Sequence, residues 1–443
     1  MIMQNRKKHV RHQESKGRTW FLWRLFLAFF LLVSSFTPIL GEEVFHPTEM
    51  WGAHPPVTWE LLSAEPMLTS FSDVEGRAIF QVFTFPNGLY TSAERLGDDI
   101  FRSLGAQGDG ALFTFTTPEA LGAIYRGEVP GRIPGIAGGD LAGTPAAGKV
   151  EALFSEMSWT NGRLNMHGYG VFLPGDDESF SYAILSYSLA EFFDVYHDFL
   201  LSNLDSFHPW LVEEDSYLRA PGPVSQFFAS PVPLAQLNGE GRFVDSGDAL
   251  FERGDATQVV IDREARILSQ YQDAPSDVQL EAWRRFYQLI YRDSFADLAG
   301  KALLFYEALF TESRNPLTWP ARILATLQGF DYRRTGTLSD LEAPQLSILD
   351  QAGDCDTLVL LYLAVLDHLG IEGIIMVSPR HRHSLAGVGS GVQGPRPEAN
   401  ARFPFDGESW LVAELTHRVD LGLIAADMAD PADWIGFHLG FRP

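Results

Sequence analysis

The chain has 443 residues, 46% hydrophobic and 13% aromatic, enough for sizeable cores and too apolar for a disordered chain. Its formal net charge is −24, and the first 24 residues hold seven of the 33 basic side chains but only one of the 57 acids, leaving −30 on the rest. A body that acidic repels phosphate backbones, which argues against nucleic acid as a partner.

In chain order, residues 1–18 read as a basic tail and 19–41 as a transmembrane anchor or signal peptide. Leu25 to Leu40 is a charge-free stretch of 16 residues, the lower edge of what spans a bilayer. Adding Trp20 to Trp23 lengthens it, with Arg24 able to snorkel. The basic flank sets the amino end inside and the acidic body outside. A cleaved signal peptide is the alternative, although no Ala-x-Ala site precedes Glu42. The expected location is therefore membrane-anchored with an extracytoplasmic body, or secreted or periplasmic after cleavage.

Residues 42 to 75, with Pro47, Pro55 and Pro56, read as a lead-in linker. An α+β accessory module is expected over 75–210. "AIFQVFTF" (Ala78 to Phe85) and "ALFTFT" (Ala111 to Thr116) have strand composition, and "SAERLGDDIFRSLG" between them has a serine cap signal and helical spacing. Three further strands are predicted over Glu151 to Trp159, Arg163 to Leu173 and Phe180 to Leu189, separated by the turn chemistry of "TNG" and "PGDDES". "EFFDVYHDFLLSNLDSF" follows as a helix with an aromatic face. "GTPAAGKV" (Gly143 to Val150) nearly matches a phosphate-cradling loop, but valine stands where magnesium needs a hydroxyl, so a surface loop is expected.

A polar linker is placed at 211–255. Helical periodicity then runs through Trp283 to Phe310, with one interior glycine to kink or divide it, and through "WPARILATLQGF", whose Pro320 suits a first turn. "IEGIIMV", "SLAGV" and "WLVAEL" supply strands. Before them stands "ILDQAGDCDTLVLLYLAVLDHLG", which contains Cys355, the only cysteine. One cysteine in an exported chain forms no internal disulfide; it is buried and inert, or a working thiol. Asp354 and Asp356 can cap the helix that follows, placing Cys355 in its first turn, where unpaired N–H groups favour a thiolate. The flanking carboxylates oppose that, and a nearby imidazolium could offset them. "SPRHRHSLAGV" puts His381 and His383 ahead of a strand, and "WLVAELTHRVD" puts Glu414 in an apolar stretch ahead of His417. A buried acid there needs a partner, and an imidazole is one; the alternative is a strand-edge carboxylate facing water. The three histidines lack a clear ligand spacing, so no metal or cofactor is expected.

The order of these residues resembles the transglutaminase-like superfamily of papain-like cysteine enzymes over about residues 320–420. The resemblance is carried by "GDCDTLVLLYLAVLDHLGI", "HSLAGV" and "WLVAELT", and by an interval of 28 residues from cysteine to histidine. It implies Cys355 as nucleophile, His383 as general base and Glu414 in the place of the usual aspartate. Ser384 departs from the common residue after the histidine, and Gln328, Gln345 and Gln351 are available as oxyanion donors with none singled out. The expected fold is thus α+β: an N-terminal membrane segment, the accessory module, and a transglutaminase-like helix-plus-antiparallel-sheet domain over 256–443. The function implied is cysteine acyl transfer on peptide or isopeptide amides, as a peptidase, amidase or transamidase. A catalytically inactive binding or assembly protein of the cell envelope is the alternative. Partners are a peptide or protein substrate and the membrane; the sequence sets no oligomeric state. The accessory module, by its strand–strand–strand–helix order, resembles small α+β modules related to photosystem-associated proteins.

Overall fold

A computed structural model describes residues 44–46, 50–65, 67–116, 149–209, 220–229, 249–334, 336, 339–389, 391–392, 394–397 and 400–439. The expected tail at 1–18 and the membrane or signal segment at 19–41 lie outside these residues, as does 143–148. Among the described residues no helix is long and apolar enough to cross a membrane. The fold is mixed α+β.

The amino-terminal unit is built on a seven-stranded antiparallel sheet. Its spatial order is Trp59–Glu65, Leu68–Asp73, Ala78–Phe85, Ser181–Leu189, Leu164–Leu173, Lys149–Asn161, Gln107–Thr116. The first two strands occupy the stretch expected to be a linker. Their alternation is blurred because Leu68–Asp73 is buried on both faces, so a period of two leaves no polar side to read. Along Ser181–Leu189, Tyr182 and Ile184 enter one core while Ala183 and Leu185 enter the other. Each face therefore carries a helix. Ala93–Leu104 covers one, capped by Ser92, which accepts the Arg95 N–H, and closed by Gly105 in the left-handed region at φ 64°. Phe193–Ser206 covers the other, burying Leu200 and Leu204.

The carboxy-terminal unit wraps helices around a five-stranded antiparallel sheet of order Arg402–Phe405, Glu408–Ala413, His383–Val388, Gly373–Ser378, Ile435–His438. The long periodic stretch is divided: Ser276–Phe295 and Ala299–Glu312 are separated by a 3-10 turn at Ala296–Leu298, just ahead of Gly300. Pro320 sits in the first turn of Trp319–Leu327. The segment 211–255 is not linker throughout, since it holds the short helix Pro223–Phe228 and the start of Ala249–Ser269.

The two units share a buried boundary. Ile267, Tyr271 and Ala282 from the helical unit pack into the same core as the seven-stranded sheet. Arg285 donates to Glu264 and Ser202, both at 2.7 Å, and to the His54 carbonyl at 2.9 Å. Arg263 donates to Asp205 at 2.8 Å and Glu264 at 2.9 Å, and Arg292 to His208 and the Asp205 carbonyl. These charges are desolvated, so each depends on its partner staying in place.

Candidate active site

Cys355 is the first residue of the helix Cys355–His368. Asp354 is its N-cap and accepts the Thr357 N–H at 2.9 Å. The chain reaches that cap through a sharp turn: Gln351 takes φ 52° at the end of Pro344–Asp350, and Ala352–Gly353 then pairs in parallel with Asp331–Tyr332. Leu358 to Leu366 are all buried, so the helix is apolar on every side and is held from all directions. One of its faces packs on Ile375, Val377, Ala386 and Val388 of the sheet.

The thiol is buried at 5% exposure. Burial, then the Asp356 and Asp354 carboxylates, push its pKa well above the ordinary thiol range, while the backbone N–H groups of Ser384 and Asp356 act the other way. Ligand atoms of Asp354, Cys355 and Asp356 all lie within 4.8 Å of one another. Both carboxyls are themselves raised, first by burial, and in Asp354 next by the neighbouring Asp356. Thiolate-bound zinc is usually completed by imidazole or further thiolates, and this cluster holds neither.

His383 opens its strand, opposite Ser378. Its Nε2 lies 2.8 Å from Glu414 Oε2, and Glu414 Oε1 accepts the N–H and hydroxyl of Thr416, both at 2.7 Å. Burial alone would raise the Glu414 carboxyl; the hydrogen bonds from His383 and Thr416 outweigh it and hold the pKa below the usual range. Sheet register explains the meeting. Ala413 pairs with Ala386, so Glu414 stands one step on, beside Leu385 and on the face that also carries His383. With the Glu414 carboxylate as acceptor, Nε2 is the donor of this bond, and in the neutral ring Nδ1 carries the lone pair.

Ser384, on the opposite face, turns to the cysteine helix and donates to Asp356 Oδ1, which also accepts from the Tyr287 hydroxyl at 3.2 Å. The residue after the cysteine thus holds the residue after the histidine. Among the described residues no hydrogen bond joins the Cys355 thiol to the His383 ring. The other candidates diverge. His381 lies in the turn before the strand, 3.1 Å from Asp433 and stacked on Trp434. His417 is 77% exposed, bonded to Thr416 at 2.9 Å and 3.9 Å from Glu414 Oε1, on the solvent side of that carboxyl. Gln328 donates to the carbonyls of Glu414 (2.8 Å) and Val419 (2.9 Å), and Gln345 to Thr257 (2.9 Å) and Asp297 (3.1 Å), so both amides are committed elsewhere. Gln351 is exposed at the turn. Sequence reasoning gave no role to Tyr287, which reaches the site from a helix 69 residues away with no local signal. Ser384 and Asp356 stand beside the two reactive residues in sequence, but nothing local to either says that they bond.

No family model matches the chain, and no curated protein matches it. Among solved structures it is similar to the cyanobacterial PsbP (CyanoP) of Synechocystis, at 8% identity and a TM-score of 0.26, over 40% of this chain and 99% of that one. It is also similar to a protein of Bacteroides thetaiotaomicron, at 10% identity and a TM-score of 0.21, over 59% and 80%. Likenesses this slight carry no argument, and a functional reading rests on the geometry around Cys355.

Proposed function

We propose that the chain is an exported cysteine enzyme acting by acyl transfer on peptide or isopeptide amides, with a transglutaminase-like domain over 256–443. The observation that carries this reading is the 2.8 Å His383–Glu414 bond at the start of the strand whose next residue, Ser384, bonds the cysteine helix at Asp356. It supports a defined tautomer, with Nδ1 left to take the thiol proton. The sulfur lone pair then forms the S–C bond as the carbonyl π pair moves to oxygen. That pair returns as the C–N bond breaks, and the amine leaves with the imidazolium proton. Water adds to the thioester, giving its proton to the imidazole, and Cys355 leaves as the reprotonated thiol; an amine in place of water gives transamidation. The Cys355 backbone N–H, unpaired at the first helical position, is the oxyanion donor this reading favours. The longer reach of glutamate suits its position, because Glu414 must span from beside Leu385 to His383. Export rests on the basic and then apolar amino-terminal stretch.

Native protein is expected to gain one iodoacetamide adduct, measured by intact mass, at a rate that falls in His383→Ala. Labelling only after denaturation would sink the nucleophile assignment. The absence of a thiol–imidazole hydrogen bond favours one second reading, a binding or assembly protein that keeps the scaffold without catalysis. Cys355→Ala separates the two: a folded variant that retains the full cellular role supports the binding protein.

A further inference from the structure

The cysteine and the histidine stand on different elements, one at a helix start and the other at a strand start. Something must set their separation, because side-chain reach alone leaves it undetermined at the tolerance catalysis needs. The apolar contacts between helix and sheet run from Leu358 onward and lie further along both elements. At the reactive end the direct polar link between them is Ser384 Oγ to Asp356 Oδ1, with Tyr287 Oη on the same carboxyl oxygen. Ser384 is 3% exposed, and its neighbours in sequence are His383 and the buried Leu385. Asp356 lies one residue after Cys355, with its carboxyl group within 4.8 Å of the sulfur.

We propose that the Asp356–Ser384 hydrogen bond is a positioning clamp that fixes the His383 imidazole relative to the Cys355 thiol, with Tyr287 orienting the Asp356 carboxyl. This rests on the acyl-transfer reading. Neither residue is assigned contact with substrate. Ser384 holds the backbone that His383 hangs from. Asp356 holds the first turn of the helix from the other side. A hydroxyl is suited to the position because the side chain must be short, buried and able to donate to a carboxyl that already accepts from Tyr287. Alanine there would leave the Asp356 carboxyl short of a donor in a desolvated site.

The test is the pH profile of Cys355 alkylation by iodoacetamide in the full chain, followed by intact mass. The charged and titratable groups that bear on it are Asp354 and Asp356 from the helix, His383 from the strand, Tyr287 from Ser276–Phe295, and Tyr332 and Arg334 from the segment beside the cap. Wild type is expected to show an inflection that His383→Ala abolishes. In Ser384→Ala that inflection is expected to vanish, with labelling about tenfold slower at pH 7, as when a general base is displaced. Asp356→Ala breaks the same bond from the helix side and should lose the inflection too. Ser384→Thr, which keeps a hydroxyl, should restore it, and Tyr287→Phe, which removes the second donor to the Asp356 carboxyl, should weaken it without abolishing it. A variant that does no more than loosen the fold would lower the melting temperature without moving the inflection. A wild-type profile with no His383-dependent inflection overturns the acyl-transfer reading and the clamp with it. A wild-type inflection that persists unchanged in folded Ser384→Ala overturns the clamp alone.

Discussion

Replacing Asp356 with asparagine separates the charge beside the thiol from the hydrogen bonds it makes. The amide oxygen still accepts from Ser384 and Tyr287, while the negative charge within 4.8 Å of the sulfur is gone. At that distance, with an effective dielectric constant of about 20, one unit charge contributes about 3.5 kcal/mol, enough to move a thiol pKa by about 2.5. Burial raises the Asp356 carboxyl itself and so works against a full charge there, and a smaller fall, about 1 to 2, is expected. The thiolate fraction then rises about 10- to 100-fold, while each thiolate becomes less nucleophilic with a Brønsted slope of about 0.45. The net expectation is alkylation about 3- to 12-fold faster below the thiol's pKa. Second-order rates with iodoacetamide between pH 7 and 9, with a melting curve for each variant, measure it. Asp354→Asn is the companion, since asparagine caps a helix as well as aspartate and should accelerate labelling without loss of stability. A folded Asp356→Asn protein that labels no faster than wild type at any of these pH values would refute the argument that this carboxylate sets the thiol's pKa.

Glu414→Gln should slow Cys355 labelling and cost about 1.5–3 kcal/mol at pH 7, because a charged acceptor is lost from His383 and Thr416. The folded pKa of Glu414 is depressed, so the stability it contributes is present above the unfolded value of about 4.3 and is lost as pH falls through the folded value. Urea titrations of wild type and Glu414→Gln should therefore converge in acid; a gap that widens there would contradict the sign. Leu361→Ala empties a fully buried position in the cysteine helix and should cost about 2–5 kcal/mol in a urea titration. Arg285→Ala leaves Glu264 desolvated and short of one partner, with an expected loss of about 3–5 kcal/mol; a change under 1 kcal/mol would mean water reaches that boundary.

Local rules made most elements legible. Ser92, Gly105, Asp354 and Pro320 announce helix ends by chemistry confined to one turn, and the strands of 373–378, 383–388 and 408–413 stand out as apolar runs between turn residues. The strand after the two histidines is readable for the same reason, and it begins one residue earlier than the stretch "SLAGV", at His383. Neighbouring prolines make Trp59–Glu65 and Leu68–Asp73 look like a linker, and in Leu68–Asp73 full burial also removes the alternation that marks a strand. The site was legible only where a motif recorded it. Tyr287 could not be found, since nothing within a helix's own periodicity says which distant carboxyl its hydroxyl will meet. The glutamines failed as oxyanion donors for a related reason: an amide's partners are set by tertiary neighbours, and Gln328 and Gln345 are occupied by carbonyls and side chains far along the chain.

The arginines at the boundary between the units bear on how such a chain is inherited. Arg263, Arg285 and Arg292 belong to the helical unit, yet Asp205, Ser202, His208 and the His54 carbonyl, which help satisfy them, belong to the sheet unit. Each is a lock whose key lies in another stretch of the gene. A recombination that exchanged the amino-terminal unit for an unrelated one would strand these cations in a dry interface, beside Ile267 and Tyr271 left bare. The same helix that carries Arg285 and Arg292 carries Tyr287 to Asp356, so the damage would arrive beside Cys355. The two halves are consequently expected to have been selected as one gene, with substitutions at the boundary arising in compensating pairs.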